Sequence, residues 1–131
     1  MVLDTSALMA VILREPDASA CITALDEAAE IAISAATLSE ALIVAQLRNI
    51  GPEMAQLIEE LGCEVSPVTE ASARRVALAY SRWGKGVHPA GLNFGDCFAY
   101  ALADERGWPL LYVGGDFSRT DVVSALKPRQ S

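Results

Sequence analysis

The sequence predicts an α/β fold in which a central, mostly parallel sheet of four to five short strands is flanked by helices. Short apolar runs at Val2-Leu3 and residues 31–34, 64–68 and 109–113 are too brief for helices and are bounded by charged or turn-forming residues. Longer segments with helical periodicity separate them. Strands alternating with helices make β-α-β units, whose sheets are parallel and covered on both faces. Composition bounds the size: 131 residues, 52% hydrophobic and 21% charged, suit one domain, spanning 1–131, with a substantial buried core.

The elements follow in order. Val2-Leu3 forms the first strand and ends at Asp4. Ser6 is placed to cap a first helix running to about Leu13, where Arg14-Glu15-Pro16-Asp17 breaks it. Pro16 and Asp17 signal a second helix over 17–29, and residues 31–34 form a buried strand. A helix over 37–49 sets Leu38, Ala41, Leu42, Ala45 and Gln46 on one face and stops at Asn49-Ile50-Gly51-Pro52. A helix over 53–61, stopped by Gly62, precedes the strand at 64–68. Thr69 with Ser72 opens the next helix, which ends at Trp83 before Gly84-Lys85-Gly86. After a loop over 87–92, a helix from about Phe94 to Glu105 leads into the strand at 109–113 and then Gly114-Gly115-Asp116.

Several classes are excluded. The longest apolar runs, such as residues 97–103, have seven residues, against the ~20 of a membrane span. No basic leader precedes Asp4, so no signal peptide is expected. Cys21, Cys63 and Cys97 are odd in number and widely spaced, which argues against a disulfide framework or a zinc site and for the cytoplasm. The net charge of −7 is opposite to what a phosphate grip needs. The charge is uneven, however: residues 70–90 carry Arg74, Arg75, Arg82 and Lys85 against Glu70, while residues 15–64 hold ten acidic residues and only Arg48. An acidic protein also suits a basic protein partner.

Asp4 and Asp116 each follow an apolar strand, where parallel α/β sheets bind ligands. Glu40 and Asp96 fall in the first turns of predicted helices. Each alone has a structural explanation. Thr37-x-x-Glu40 and Asn93-x-x-Asp96 match capping boxes, and Asp4 suits either a cap or the positive end of the first helix. Together they are harder to explain so. Asp96 precedes the apolar segment 97–103, and Glu40 lies between Leu38 and the apolar run 41–45. Two charges ~5 Å apart at an effective dielectric of ~20 repel by about 3 kcal/mol. Four converging carboxylates therefore call for a cation, and a set without nearby His or Cys ligands points to Mg²⁺ or Mn²⁺.

Thr5 and Ser6 are placed to touch a coordinated water or a phosphate, although Ser6 serves equally as a helix cap. Asn93 serves as a cap or a ligand-side hydrogen-bonding group, and Asp121 as a further carboxylate from a short helix after Asp116. His88, the only histidine, lies in a loop, and Cys97 is packing. Three readings stay open at this point: a metal-dependent nuclease, a Mg²⁺-dependent phosphatase with Asp4 as nucleophile, and a non-catalytic acidic module for a basic partner. The phosphatase reading expects an aspartate where Ser6 stands.

The opening Met1 to Leu8, with its Asp4-Thr5-Ser6, resembles the first strand and turn of PIN domains. Ala35-Ala36-Thr37-Leu38-Ser39-Glu40 is similar to their second acidic motif, and the stretch from Gly91 through Asn93-Phe94-Gly95-Asp96 to Ala103 is the most specific match. With the segment from Pro109 to Phe117, the chain resembles VapC toxins of type II toxin–antitoxin systems along nearly its whole length. The resemblance implies a PIN-like three-layer fold and a Mg²⁺- or Mn²⁺-dependent endoribonuclease. It further implies an RNA substrate, neutralisation by a VapB-like antitoxin, and a homodimer. Carried over residue by residue, it makes Asp4, Glu40, Asp96 and Asp116 catalytic. Asp4, Asp96 and Asp116 then bind metal, with Glu40 acting through water. Many relatives have an acidic or amide residue where this chain has Gly114, so Asp116 holds the fourth position with Asp121 as its possible helper. Arg74, Arg75, Arg82, Lys85 and Arg119 are the candidates for steering flanking phosphates. Residues 17–61 are expected to form the dimer or antitoxin surface.

Overall fold

The computed structural model describes residues 1–126. Its regular structure comprises four strands, β1 (Val2–Leu3), β2 (Ala32–Ser34), β3 (Glu64–Ser66) and β4 (Leu110–Leu111). Six helices accompany them: α1 (Thr5–Ile12), α2 (Ala18–Glu27), α3 (Ala35–Leu47), α4 (Gly51–Leu61), α5 (Glu70–Trp83) and α6 (Phe94–Arg106). The strands pair in the order β3-β2-β1-β4, and every pairing is parallel. The sheet is thus wholly parallel. A fifth strand is reduced to one bridge between Leu110 and Ser124, where Leu110 N–H donates to Val123 O (2.8 Å) and Ala125 N–H to Leu110 O (2.9 Å).

The strands are short because each supplies only one or two residues to each face. Successive side chains of a strand point to opposite faces, and here the alternation divides two cores. Val2, Ala32 and Leu110 pack with Val76, Ala79, Cys97, Tyr100 and Phe117, under α5 and α6. Their neighbours Leu3, Ile33 and Leu111 pack with Leu8, Cys21, Leu25, Ala41 and Met54, under α1 to α4. Burying a side chain of Leu size contributes about 1.5–3 kcal/mol, and Leu3, Leu8, Leu110 and Leu111 are all wholly inaccessible. The result is three layers, helices–sheet–helices.

Helix starts bear on the site. The Asn93/Asp96 box is present at α6, and Thr69/Ser72 forms a capping box at α5. Two other starts need comment. Of the two cap candidates for α1 it is Asp4 that caps, its carboxylate accepting from Ser6 N–H, so Ser6 lies inside the helix. α3 begins at Ala35 under a Ser34 cap, so Thr37 and Glu40 form no box and Glu40 lies in the second turn. The cause is that Ser34 ends β2 with an extended backbone and its hydroxyl reaches Ala36 N–H first (3.3 Å). Nor is Glu40 embedded among buried residues on both sides, since Leu42 and Ile43 beside it are exposed. No helix lies around Asp121: the stretch after β4 is turn and loop as far as Leu126.

Candidate active site

β1 delivers Asp4 to the carboxyl edge of the sheet. The side chain is 5% exposed and works as the α1 cap: Oδ2 accepts from Ser6 N–H (3.1 Å) and from Ser6 Oγ–H (2.6 Å). Burial raises its pKa, against the lowering effect of the Ser6 hydrogen bonds, and the Glu40 charge adds to the rise. Ser6 Oγ in turn accepts from Val113 N–H (3.0 Å), which ties the end of β4 to Asp4.

Glu40 reaches the same edge from the second turn of α3. Thr5 Oγ1–H donates to its Oε1 (2.7 Å), so the residue beside Asp4 orients Glu40. Thr37 lies one turn before Glu40 and, like it, neighbours Thr5, whose hydroxyl is 3.4 Å from Thr37 O. The Thr37 hydroxyl is buried and has no hydrogen-bond partner among the described residues.

Asp96 stands in the first turn of α6, half-buried. Its Oδ2 accepts from Asn93 N–H (3.0 Å) while Asn93 Oδ1 accepts from Asp96 N–H (2.8 Å). Its pKa is raised to about 6, first by burial, opposed by the Asn93 hydrogen bond, and further by the charges of Asp4, Asp116 and Glu40. That one carboxyl feels the other three draws the four acidic residues into one electrostatic cluster. Asp116 is exposed, on a turn that begins at Gly114, whose φ of +96° only glycine adopts without strain. The next residue, Phe117, is buried against Tyr112 (5.2 Å between ring centroids) and anchors the turn to the core.

The remaining sequence candidates separate from this cluster. Asp121 is drawn toward α5 and α6, where Oδ1 accepts from Tyr100 Oη–H (2.5 Å) and Oδ2 lies 3.4 Å from Arg82. Trp83 Nε1–H donates to the same Tyr100 oxygen (2.9 Å), and this chain holds the segment after Asp116 in place. Arg82 also stacks on Trp83 (4.6 Å), and Arg74 pairs with Glu70 (2.9 Å) in an exposed bridge worth little energetically. Among the described residues Arg75, Lys85 and Arg119 form no ion pair. His88 Nδ1 accepts from Ala90 N–H (3.0 Å) and its ring meets Trp83 edge-on, a structural role. Cys97 is buried and its thiol is pushed up to about 11 by burial, so it is inert.

Sequence reasoning missed Gly95. A Cβ there would collide with Glu40 Oε2 and lie 3.2 Å from Glu40 Cδ. The available signal was a glycine inside a helix's first turn, between a cap and an acidic residue.

A PIN-domain family model matches residues 1–123. The chain belongs to the PIN-domain family. Ribonuclease VapC28 of Mycobacterium tuberculosis is 46% identical over 133 residues, covering 98% of this chain and 100% of that relative. Among solved structures, Mycobacterium tuberculosis VapC20, described as a sarcin-ricin loop cleaving toxin, superposes with a TM-score of 0.77 at 18% identity over 97% of this chain and 98% of that one. A toxin–antitoxin complex from Klebsiella pneumoniae gives 0.71 at 17% identity, again over 97% and 98%. These two structures establish a shared fold; the VapC28 identity places this PIN domain among the VapC ribonucleases. The chain is accordingly an endoribonuclease toxin of the VapBC type, a class that depends on divalent metal.

Proposed function

We propose that Asp4, Glu40, Asp96 and Asp116 form the hydrolytic centre of this ribonuclease, and that Mg²⁺ or Mn²⁺ is the ion they hold. The observation that carries this is a meeting of side chains at one sheet edge: Thr5, next to Asp4, donates to Glu40 Oε1, and Glu40 Oε2 lies against Gly95, next to Asp96. Among the described residues none of the four is neutralised by a Lys or Arg ion pair. The donors are hard oxygens, which suits Mg²⁺ or Mn²⁺. Among the described residues no three His, Cys, Asp or Glu side chains stand close enough together to hold an ion between them. This fits an ion held directly by one or two carboxylates, with water filling the rest of its shell. Asp4, Asp96 and Asp116 are the metal-binding carboxylates in this reading, one or two of them touching the ion and the others, with Glu40, acting through its waters.

A divalent ion supplies Lewis acidity and charge neutralisation to phosphodiester hydrolysis. The chain supplies the arrangement. Ser6 fixes Asp4, Asn93 fixes Asp96 and Thr5 fixes Glu40, so the donors are aimed before any ligand arrives. In the metal-free protein burial and the neighbouring carboxylates raise the Asp96 pKa to about 6, and binding a cation favours its ionised form. Arg75, Lys85 and Arg119, exposed and unpaired among the described residues, are the phosphate-steering groups.

A VapB-like antitoxin and a second copy of the chain are the protein partners. The segment 17–61 supports this assignment by leaving Ile22, Leu42, Ile43 and Leu47 exposed, Leu47 at 79%. No helix among the described residues is long and apolar enough to cross a membrane.

The test is incubation of antitoxin-free protein with total bacterial RNA, with and without Mg²⁺ or Mn²⁺, beside Asp96→Asn. Cleavage that needs the ion and falls by roughly 100-fold or more in the variant is the expected result. Wild-type rates in Asp96→Asn would refute the centre.

A further inference from the structure

Gly95 occupies a place where a helix would ordinarily favour alanine. Its φ is not in the left-handed region, so backbone freedom does not account for it. What the site forbids is a side chain: a Cβ at 95 would overlap Glu40 Oε2 and lie 3.2 Å from Glu40 Cδ and 3.4 Å from Asn93 Oδ1. We propose that Gly95 is a positioning residue, whose missing side chain lets the Glu40 carboxylate rest against the first turn of α6 beside Asp96. This rests on the active-site reading above.

Two contacts define the seat. Thr5 Oγ1–H holds Glu40 Oε1 at 2.7 Å, and the gap left by Gly95 receives Oε2. That oxygen lies at the N-terminal turn of a thirteen-residue helix, where unpaired N–H groups favour negative charge. A methyl group at 95 forces either the helix or the carboxylate to move. α6 is fixed by the burial of Cys97, Ala99, Tyr100, Ala101, Leu102 and Ala103. Glu40 is the flexible, half-buried tip of a side chain. The carboxylate therefore yields and gives up Thr5, while the helix itself gains a better helix former. Gly95→Ala thus separates activity from stability.

The experiment is a double-mutant cycle of Gly95→Ala with Glu40→Ala, with Asp96→Asn as reference. Turnover, metal-free melting and the Mn²⁺ concentration that half-maximally raises Tm are measured for each protein. Gly95→Ala is expected to lower kcat roughly tenfold to 100-fold, raise the Mn²⁺ midpoint and leave metal-free Tm unchanged or higher. In the Glu40→Ala background the same methyl has nothing to displace, so the Mn²⁺ midpoint should not change further and metal-free Tm should rise by the helix-propensity gain alone. If Gly95→Ala alone fails to fold, recovery of folding in Gly95→Ala/Glu40→Ala supports the clash, and failure to recover overturns the proposal. Wild-type kcat in Gly95→Ala with an inactive Asp96→Asn overturns this inference alone. Wild-type kcat in Asp96→Asn overturns the active-site reading and this inference with it.

Discussion

Asp96 combines a structural task with a chemical one. It completes the cap of α6, yet burial and three neighbouring carboxylates raise its pKa from an ordinary 3.8 to about 6. Between those values the folded protein keeps a proton that the unfolded chain has released. Stability of the metal-free protein therefore falls as pH rises through that window. Asp4, raised chiefly by its burial, acts in the same direction. Thermal melts in chelator should accordingly give a higher Tm at pH 5 than at pH 7.5, and the difference should shrink in Asp4→Asn. That variant keeps an acceptor for Ser6 while removing a buried charge, so it should melt a few °C higher than wild type at pH 7.5, corresponding to about 1 kcal/mol, and cleave no RNA. A lower Tm for Asp4→Asn would show that the buried charge is not the strained group. The three hydroxyls of this region divide their work: Ser6 bridges Asp4 to Val113, Thr5 orients Glu40, and the Thr37 hydroxyl lacks a partner among the described residues.

At the level of elements, α5 and α6 start with the same device in different surroundings. Thr69→Ala removes the cap of α5 and should cost about 1 kcal/mol with turnover unchanged. Asn93→Ala removes the cap of α6 for a similar cost, but it also frees Asp96, so kcat should fall by roughly tenfold or more beyond what the stability loss explains. Equal kinetic effects of the two would argue that Asn93 has no positioning role. These two boxes were legible because each combines a cap residue with its partner three positions on, just ahead of a long helical pattern. Thr37 and Glu40 have the same spacing, yet Ser34 at the end of β2 starts the helix earlier, and a competing cap two residues ahead of Ala36 cannot be weighed without knowing where the strand ends. Asp121 shows a different limit. Its partners Tyr100 and Arg82 are distant in sequence, and only packing of α5 on α6 brings them to it. Glycine at 95 was visible, but the reason for it is an oxygen contributed by α3.

Across the whole molecule, the alternation of Val2/Leu3, Ala32/Ile33 and Leu110/Leu111 between two cores explains why so few strand residues fix a three-layer fold. The same pattern made the fold class readable from short apolar runs. Assembly was less legible, because exposed apolar residues do not name their partner. If the face bearing Ile43 and Leu47 holds two copies together, light scattering should give twice the 13.9 kDa chain mass, and Ile43→Glu with Leu47→Glu should give the monomer. An unchanged dimer in that variant would move the interface elsewhere. The strand order also carries a temporal meaning. β1 is central, and its neighbour β4, from residues 110–111, is the last strand of the sheet to be made. The proposed carboxylates run from Asp4 to Asp116, so no nascent chain that stops short of Asp116 contains the set. A nascent chain that has not yet passed Asp116 therefore lacks part of the proposed hydrolytic centre, whatever RNA lies within its reach.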